Sequence, residues 1–258
     1  TKLHNSQWNV DQAAGLIFCS TGVAEELGVP RERCVFPLAT AESNATSVVS
    51  ARRELHRSQG FQLAGREVLA LAGRELDEVR HLELYSCFPQ AVRVQLAELG
   101  IHDGRDLSVS GAMTFAGGPL NNFVLQVTVK MAQRLREHPG DCGLVTSVSG
   151  MNTKQACALY STEPNPAGWQ FADVTERVKE ATALCELVAD YRGDGVVAGY
   201  TVLFQSDAPW RAVAVCDLPD GRRTTVYSED DAELTAMQGE ECVGAAVLIG
   251  EGRFSLAG

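Results

Sequence analysis

What the sequence lacks narrows its reading first. No apolar run approaches the roughly 20 residues that a membrane-spanning helix needs, and the longest near the C-terminus covers only 243–249. Basic residues are in the minority: 22 Lys+Arg stand against 33 Asp+Glu, a net charge of −11. A grip on nucleic acid requires clustered cations that displace counterions from phosphates, so no nucleic-acid partner is expected. An anionic membrane surface is excluded on the same ground. The opening residues Thr1-Lys2-Leu3-His4-Asn5-Ser6 lead into no apolar core of a secretory signal, and a cytoplasmic location is expected. No Cys-x-x-Cys pair occurs among the eight cysteines (19, 34, 87, 142, 157, 185, 216 and 242). Most of them read as buried thiols in a reducing compartment rather than as a disulfide or zinc framework. Histidine is scarce, with five residues (4, 56, 81, 102 and 138), none beside a Ser, Asp or Cys at a motif spacing, and all five read as solvated. His81 and Glu83 fall on one face of a strand, but two ligand types without a third make no metal site.

What is present is an ordinary folding composition. With 45% hydrophobic residues in 258, the chain can bury a core and has length for one large domain or a medium one with a small one. A strand is expected over 11–20, feeding a helix over 21–27 that Gly28 and Pro30 stop, then a short strand over 34–38. Residues 47–72 read as helix-rich with breaks at Gly60 and Gly65, and 79–84 alternates as a strand. Pro89 opens a helix whose stripe is Val92, Leu96 and Leu99, ending at Gly100; 107–113 is a further strand. After the turn Ala116-Gly117-Gly118-Pro119, a helix carries Val124, Val127, Met131 and Leu135 on one face. Strands over 142–149 and 156–161 complete a layered α/β domain, a mixed sheet with helices, over 1–162. Residues 163–192 read as a linker and a helix, capped by Asp173 and Glu176 and carrying Val174, Val178, Ala181, Cys185 and Val188. Short β-runs over 196–204, 211–218, 222–227 and 243–249, with one helix over 230–237, give 193–258 the character of a small OB-like β-barrel or a plain β-sandwich.

Three blocks carry a family resemblance: Glu83-Leu84-Tyr85-Ser86-Cys87-Phe88-Pro89, then Gly111-Ala112-Met113-Thr114-Phe115-Ala116-Gly117-Gly118-Pro119-Leu120, then Val145-Thr146-Ser147-Val148-Ser149-Gly150. Their order and spacing resemble the C-terminal half of the thiolase fold. More narrowly they are similar to type-1 thiolase-like proteins of the acetyl-CoA acetyltransferase kind, which carry an additional C-terminal β-domain. Thiolase chemistry uses a cysteine thiolate against an acyl-CoA carbonyl, a histidine that activates it, a second cysteine that moves a proton, and donors for the oxyanion. The resemblance places the nucleophile in an N-terminal half that this sequence does not include. It implies catalytic positions at Tyr85, Cys87 and Ser147, and substrate-binding positions at Phe88, Gly117, Gly118 and Ser149. Tyr85 stands where the family has an Asn or His that positions a water, and Gly118 stands where it has the activating imidazole. Ser147 stands where it has an ionisable thiol. A coenzyme A thioester is the implied substrate class, with no cofactor and no metal.

The expected function is therefore an acyltransferase-type, thiolase-like protein of lipid metabolism without thiolase activity on its own. The alternative is a non-catalytic module that binds an acyl-CoA, a lipid thioester or a protein partner. The implied partners are an N-terminal thiolase half or a second copy, because residues 1–161 should expose an apolar face without a mate. Single residues keep two readings. Cys87 sits where a helix N-terminus would lower a thiol pKa, or is a packed small residue. Ser147 and Ser149 hold an acyl group or bond the local backbone. The turn over 117–122 presents N–H groups to an anion, or Asn121 or Asn122 caps the helix. Tyr200, Phe204, Trp210, Tyr227 and Phe254 are expected to fill the barrel core or its seam with the first domain.

Overall fold

The computed structural model describes residues 2–257; positions 1 and 258, at the ends of the expected spans, lie outside the described residues. The chain forms two compact units. The first is the chain up to Thr46 together with Arg57–Ala181, and the second is Ser47–His56 with the chain from Thr182 on.

In the first unit a mixed five-stranded sheet has the order β2-β3-β4-β1-β5. Its strands are β1 (Phe36–Ser43), β2 (Val79–Glu83), β3 (Cys142–Ser149), β4 (Lys154–Ser161) and β5 (Gln170–Asp173). β3 and β4 make an antiparallel hairpin, while β2 runs parallel to β3 and β5 parallel to β1. Successive residues of β3 serve opposite faces: Leu144 joins the core under α2 (Gln59–Ala72) and α3 (Pro89–Leu99), and Val145 the core under α5 (Asn122–Glu137). Helices therefore cover both faces of the sheet. α2 buries Phe61, Ala64, Val68 and Ala72, spaced as one helical stripe. Phe61 and Val68 together contribute about 4 kcal/mol by the usual area scale. Gly73 in the left-handed conformation ends this helix. At its start, the Glu98 carboxylate accepts from the Ser58 N–H at 2.7 Å and pairs with Arg57. Pro89 occupies the first turn of α3, and Gly100 ends it.

Several expectations are corrected here. Residues 11–20 form no strand: no described strand offers them a ladder, and Ile17 and Phe18 are 97% and 70% exposed. Ser20 instead caps α1 (Thr21–Glu26) by accepting from the Val23 N–H. Gly60 and Gly65 lie inside α2 rather than breaking it, packed beneath the Gln155 and Leu99 side chains. Residues 107–113 form no strand because the Glu83 carboxylate takes the Val109 and Ser110 N–H groups; α4 (Ala112–Ala116) follows. The helix expected through Val188 is only α6 (Thr175–Ala181), and β5 forms just before it. Neither asparagine caps α5: Asn121 makes no side-chain cap bond, and Asn122 donates to Gln12.

The second unit is a closed five-stranded barrel of order β10-β8-β7-β6-β9. Its strands are β6 (Gly193–Gln205), β7 (Ala208–Asp217), β8 (Arg223–Ser228), β9 (Ala246–Gly250) and β10 (Arg253–Leu256). β6, β7 and β8 form an antiparallel meander, β10 runs parallel to β8, and β9 pairs antiparallel with both β10 and β6. α7 (Asp231–Gly239) intervenes between β8 and β9 and adds Leu234 and Met237 to a core of Val197, Ala212, Ala214, Cys216 and Phe254. Of the aromatics expected in the barrel core or its seam, Phe254 is buried and Tyr200 packs half-buried against the core. Phe204 and Trp210 are exposed, and Tyr227 is flanked by Arg211 and Arg253 at 4.5 and 5.0 Å from its ring. Tyr227 alternates outward from Val226 on β8, while Phe204 and Trp210 lie at the hairpin end of β6 and β7, past the buried Ala212, where the pairing register shifts.

Candidate functional site

The parallel neighbours β2 and β3 end side by side, with Glu83 in register with Val145. Tyr85 leaves β2 and is held at both main-chain groups. Its N–H donates to Thr146 Oγ1 at 2.8 Å, and its carbonyl accepts from Gln95 Nε2 at 2.8 Å. The Thr146 hydroxyl bonds Gln95 Oε1, so one buried network locks the strand end. The Tyr85 ring meets Phe123 edge-on at 5.8 Å, and burial, with Cys87 beside it, pushes its hydroxyl pKa up. Ser86 is buried and its Oγ accepts from the Met113 N–H at 3.0 Å. Cys87 is half-buried, and burial pushes its thiol pKa up. That is the packed-residue reading, since the start of α3 does not outweigh desolvation. Phe88 is exposed at the head of α3. Ser147 is half-buried on β3, and Ser149 is exposed at its end.

Gly117 and Gly118 follow α4. The Gly118 N–H donates to Gln7 O at 2.7 Å, the Gln7 N–H donates to Met113 O, and the Ser6 N–H donates to Cys87 O at 2.9 Å. These bonds join the 117–118 turn to the Tyr85–Cys87 stretch, while Thr146 links that stretch to the end of β3 carrying Ser147. Tyr85, Cys87, Gly117, Gly118 and Ser147 thus share one neighbourhood, with Phe88 and Ser149 at its exposed margin. Beneath it, Glu83 is fully buried and accepts from the Ser108 and Ser110 hydroxyls and the Val109 and Ser110 N–H groups, all at 3.0 Å. Sequence reasoning missed this role. Its only signal was a Ser-x-Ser spacing that also fits a strand.

The neighbourhood offers hydroxyls, a neutral thiol and main-chain groups, but no imidazole. His81, one of the five histidines expected to be solvated, is instead half-buried near the start of β3. Its Nε2 lies 2.9 Å from Asp141 Oδ2, and its ring is 5.3 Å from that of His138. The other four are exposed. Among the described residues no three His, Cys, Asp or Glu side chains gather as metal ligands, and no helix is long and apolar enough to cross a membrane. All eight cysteines are free; five are buried, Cys34 and Cys87 are half-buried and Cys19 is exposed. Burial pushes the Cys142 thiol up to about 11 and the Cys157 thiol up to about 12.

No family model matches the sequence, and no curated protein does. Among solved structures, the chain is similar to a monomeric SCP2-thiolase-like protein type 1 from Mycobacterium smegmatis, with 28% sequence identity and a TM-score of 0.82. The similarity covers 91% of this chain and 53% of that one, so the chain spans about half the length of the structure it matches. The fold on which Tyr85, Cys87, Gly117, Gly118 and Ser147 are displayed is thiolase-like.

Proposed function

We propose that this chain is a thiolase-like protein of the acyltransferase kind that binds acyl-CoA thioesters and lacks thiolase activity on its own. One observation supports the reading: Tyr85 and Ser147 lie at the ends of β2 and β3 with the 117–118 turn bonded to the same neighbourhood, and the resemblance makes Tyr85, Gly118 and Ser147 the counterparts of the thiolase apparatus. Hydroxyls and main-chain N–H groups can hydrogen-bond a thioester carbonyl. Without an imidazole or an ionised thiol there is no base to remove the α-proton or to activate a nucleophile. The order of the barrel, with its third strand parallel to its fifth and a helix between the third and fourth, supports an OB-like assignment for the second unit. Coupling to lipid metabolism and a cytoplasmic location belong to the same proposal.

Titration of the chain with acetyl-CoA by calorimetry, beside a thiolysis assay with acetoacetyl-CoA and free CoA, tests this. Binding without turnover is expected. Turnover approaching even about 1 per second, the low end for enzymes, would overturn the claim of inactivity; absence of binding would overturn the acyl-CoA reading. A second reading, docking to an N-terminal thiolase half, is favoured by the exposed Ile17, Phe18, Phe115 and Leu120. It predicts a stable complex with such a half whether or not acetyl-CoA binds.

A further inference from the structure

Residues 5–12 cross the candidate site. Three main-chain bonds fasten them there: Ser6 N–H to Cys87 O at 2.9 Å, Gln7 N–H to Met113 O at 3.3 Å and Gly118 N–H to Gln7 O at 2.7 Å. The Gln12 side chain adds a second fastening. Its Nε2 donates to Ala116 O and, at 3.0 Å, to Gly117 O, while its Oε1 accepts from Asn122 Nδ2 at 3.3 Å. The turn beneath is shaped for this close approach. A Cβ at Gly117, where φ is +78°, would stand 2.3 Å from Val10 Cγ2. A Cβ at Gly118 would stand 2.8 Å from Met113 Sδ and 3.2 Å from Ser6 Cβ. The space into which a side chain at 118 would project is therefore taken by Met113 and Ser6. The fastening is also of a releasable kind. Residues 7–11 are exposed, including Trp8 and Val10, so hydrogen bonds hold the segment and no large apolar anchor does. Segments with exposed hydrogen bonds and few buried apolar contacts open locally without global unfolding.

We propose that residues 5–12 are a strap that closes the candidate site, and that access to Cys87 and the 117–118 turn requires the strap to lift as one unit. This rests on the location of the site given under the proposed function, and it adds a regulation of that site. The fastenings make the open form the minor one, so whatever binds beneath pays for opening in apparent affinity.

The experiment uses the full chain, the variant Gln12→Ala, and Gln7→Pro as a second route that removes the Gln7 donor. Hydrogen exchange follows the Ser6, Gln7 and Gly118 amides, and peptide mass spectrometry follows iodoacetamide modification of Cys87. In the unaltered chain the three amides should be protected to a common degree. In Gln12→Ala all three amides, and in Gln7→Pro the Ser6 and Gly118 amides that remain, should exchange faster together, about tenfold for a loosening equivalent to one or two hydrogen bonds, with Cys87 modified faster by a similar factor. Melting curves show whether each variant is folded, and a folded one suffices. Independent exchange of the three amides, or an unchanged Cys87 rate in a folded variant, would overturn the strap. These readouts do not involve coenzyme A. Failure to bind acetyl-CoA would count against the proposed function alone.

Discussion

Glu83 is the most heavily committed residue of the site without belonging to its exposed surface. Its carboxylate is fully buried, and burial raises its pKa above the ordinary range despite the two hydroxyls and two main-chain N–H groups that favour the charged form. A raised pKa means the folded state holds the proton more tightly than the unfolded state does. Glu83 therefore supports stability best below the unfolded value of about 4.3, and that support is lost as pH rises through the folded value. Glu83→Gln removes the titration. It keeps an oxygen for the Val109 and Ser110 N–H groups and turns its amide toward the two serine hydroxyls, which can accept. Urea unfolding from acid to neutral pH should show the unaltered protein losing stability relative to Glu83→Gln as pH rises. A difference that is flat or of opposite sign would contradict this account. Glu83→Leu strands both N–H groups and should cost about 3 kcal/mol.

At the scale of elements, the second unit depends on one buried arginine. Arg223, at the start of β8, is 1% exposed; its Nε donates to Asp217 Oδ1 at 2.7 Å. Its remaining nitrogens bond the carbonyls of Ser50 at 3.3 Å, Arg52 at 2.5 Å and Arg53 at 3.1 Å. The guanidinium fork thus holds the irregular stretch Ser47–His56 within this unit. A single ammonium cannot reproduce that geometry. Arg223→Met should cost about 3 kcal/mol in unfolding, and Arg223→Lys should recover only part of it. Equal stability of Arg223→Lys and the unaltered protein would show that charge alone matters. The same elements show what was legible in the sequence. β2, α3 and α5 announced themselves through alternation, through Pro89 and Gly100, and through the Val127, Met131 and Leu135 stripe, all local signals. The shared neighbourhood of Tyr85, Cys87, Gly117 and Gly118 followed from a resemblance over three blocks. Glu83 with residues 108–110, Arg223 with residues 50–53, and residues 5–12 over the 117–118 turn were not legible. Each is a polar side chain or unpaired backbone reaching across tens of residues, and no periodicity records that. The unpaired 11–20 stretch failed for the complementary reason: apolar residues with strand character form a strand only where a neighbour offers a ladder.

For the molecule as a whole, exposed apolar side chains compete with net charge. Ile17, Phe18, Leu120 and Met151 are exposed in the first unit, and Phe115 is 86% exposed. Fully burying five such side chains would contribute about 10 kcal/mol at roughly 2 each, against the 4–15 kcal/mol or more that association costs. The balance lies near zero, so self-association should be weak and sensitive to conditions. The charge of −11 opposes it, and salt screens that repulsion over about 8 Å at physiological ionic strength. Added salt should therefore strengthen association, the reverse of what ion pairing would give. Sedimentation velocity over a concentration series at low and high salt should find larger species at high salt. Ile17→Lys with Phe18→Lys should return the protein to monomer at both, because 11–20 is unpaired and its substitution disturbs no strand. A monomer under all these conditions would show that the apolar surface is not sticky enough to recruit a second copy. Association unaffected by the double substitution would move the contact away from residues 11–20, toward Phe115, Leu120 and Met151.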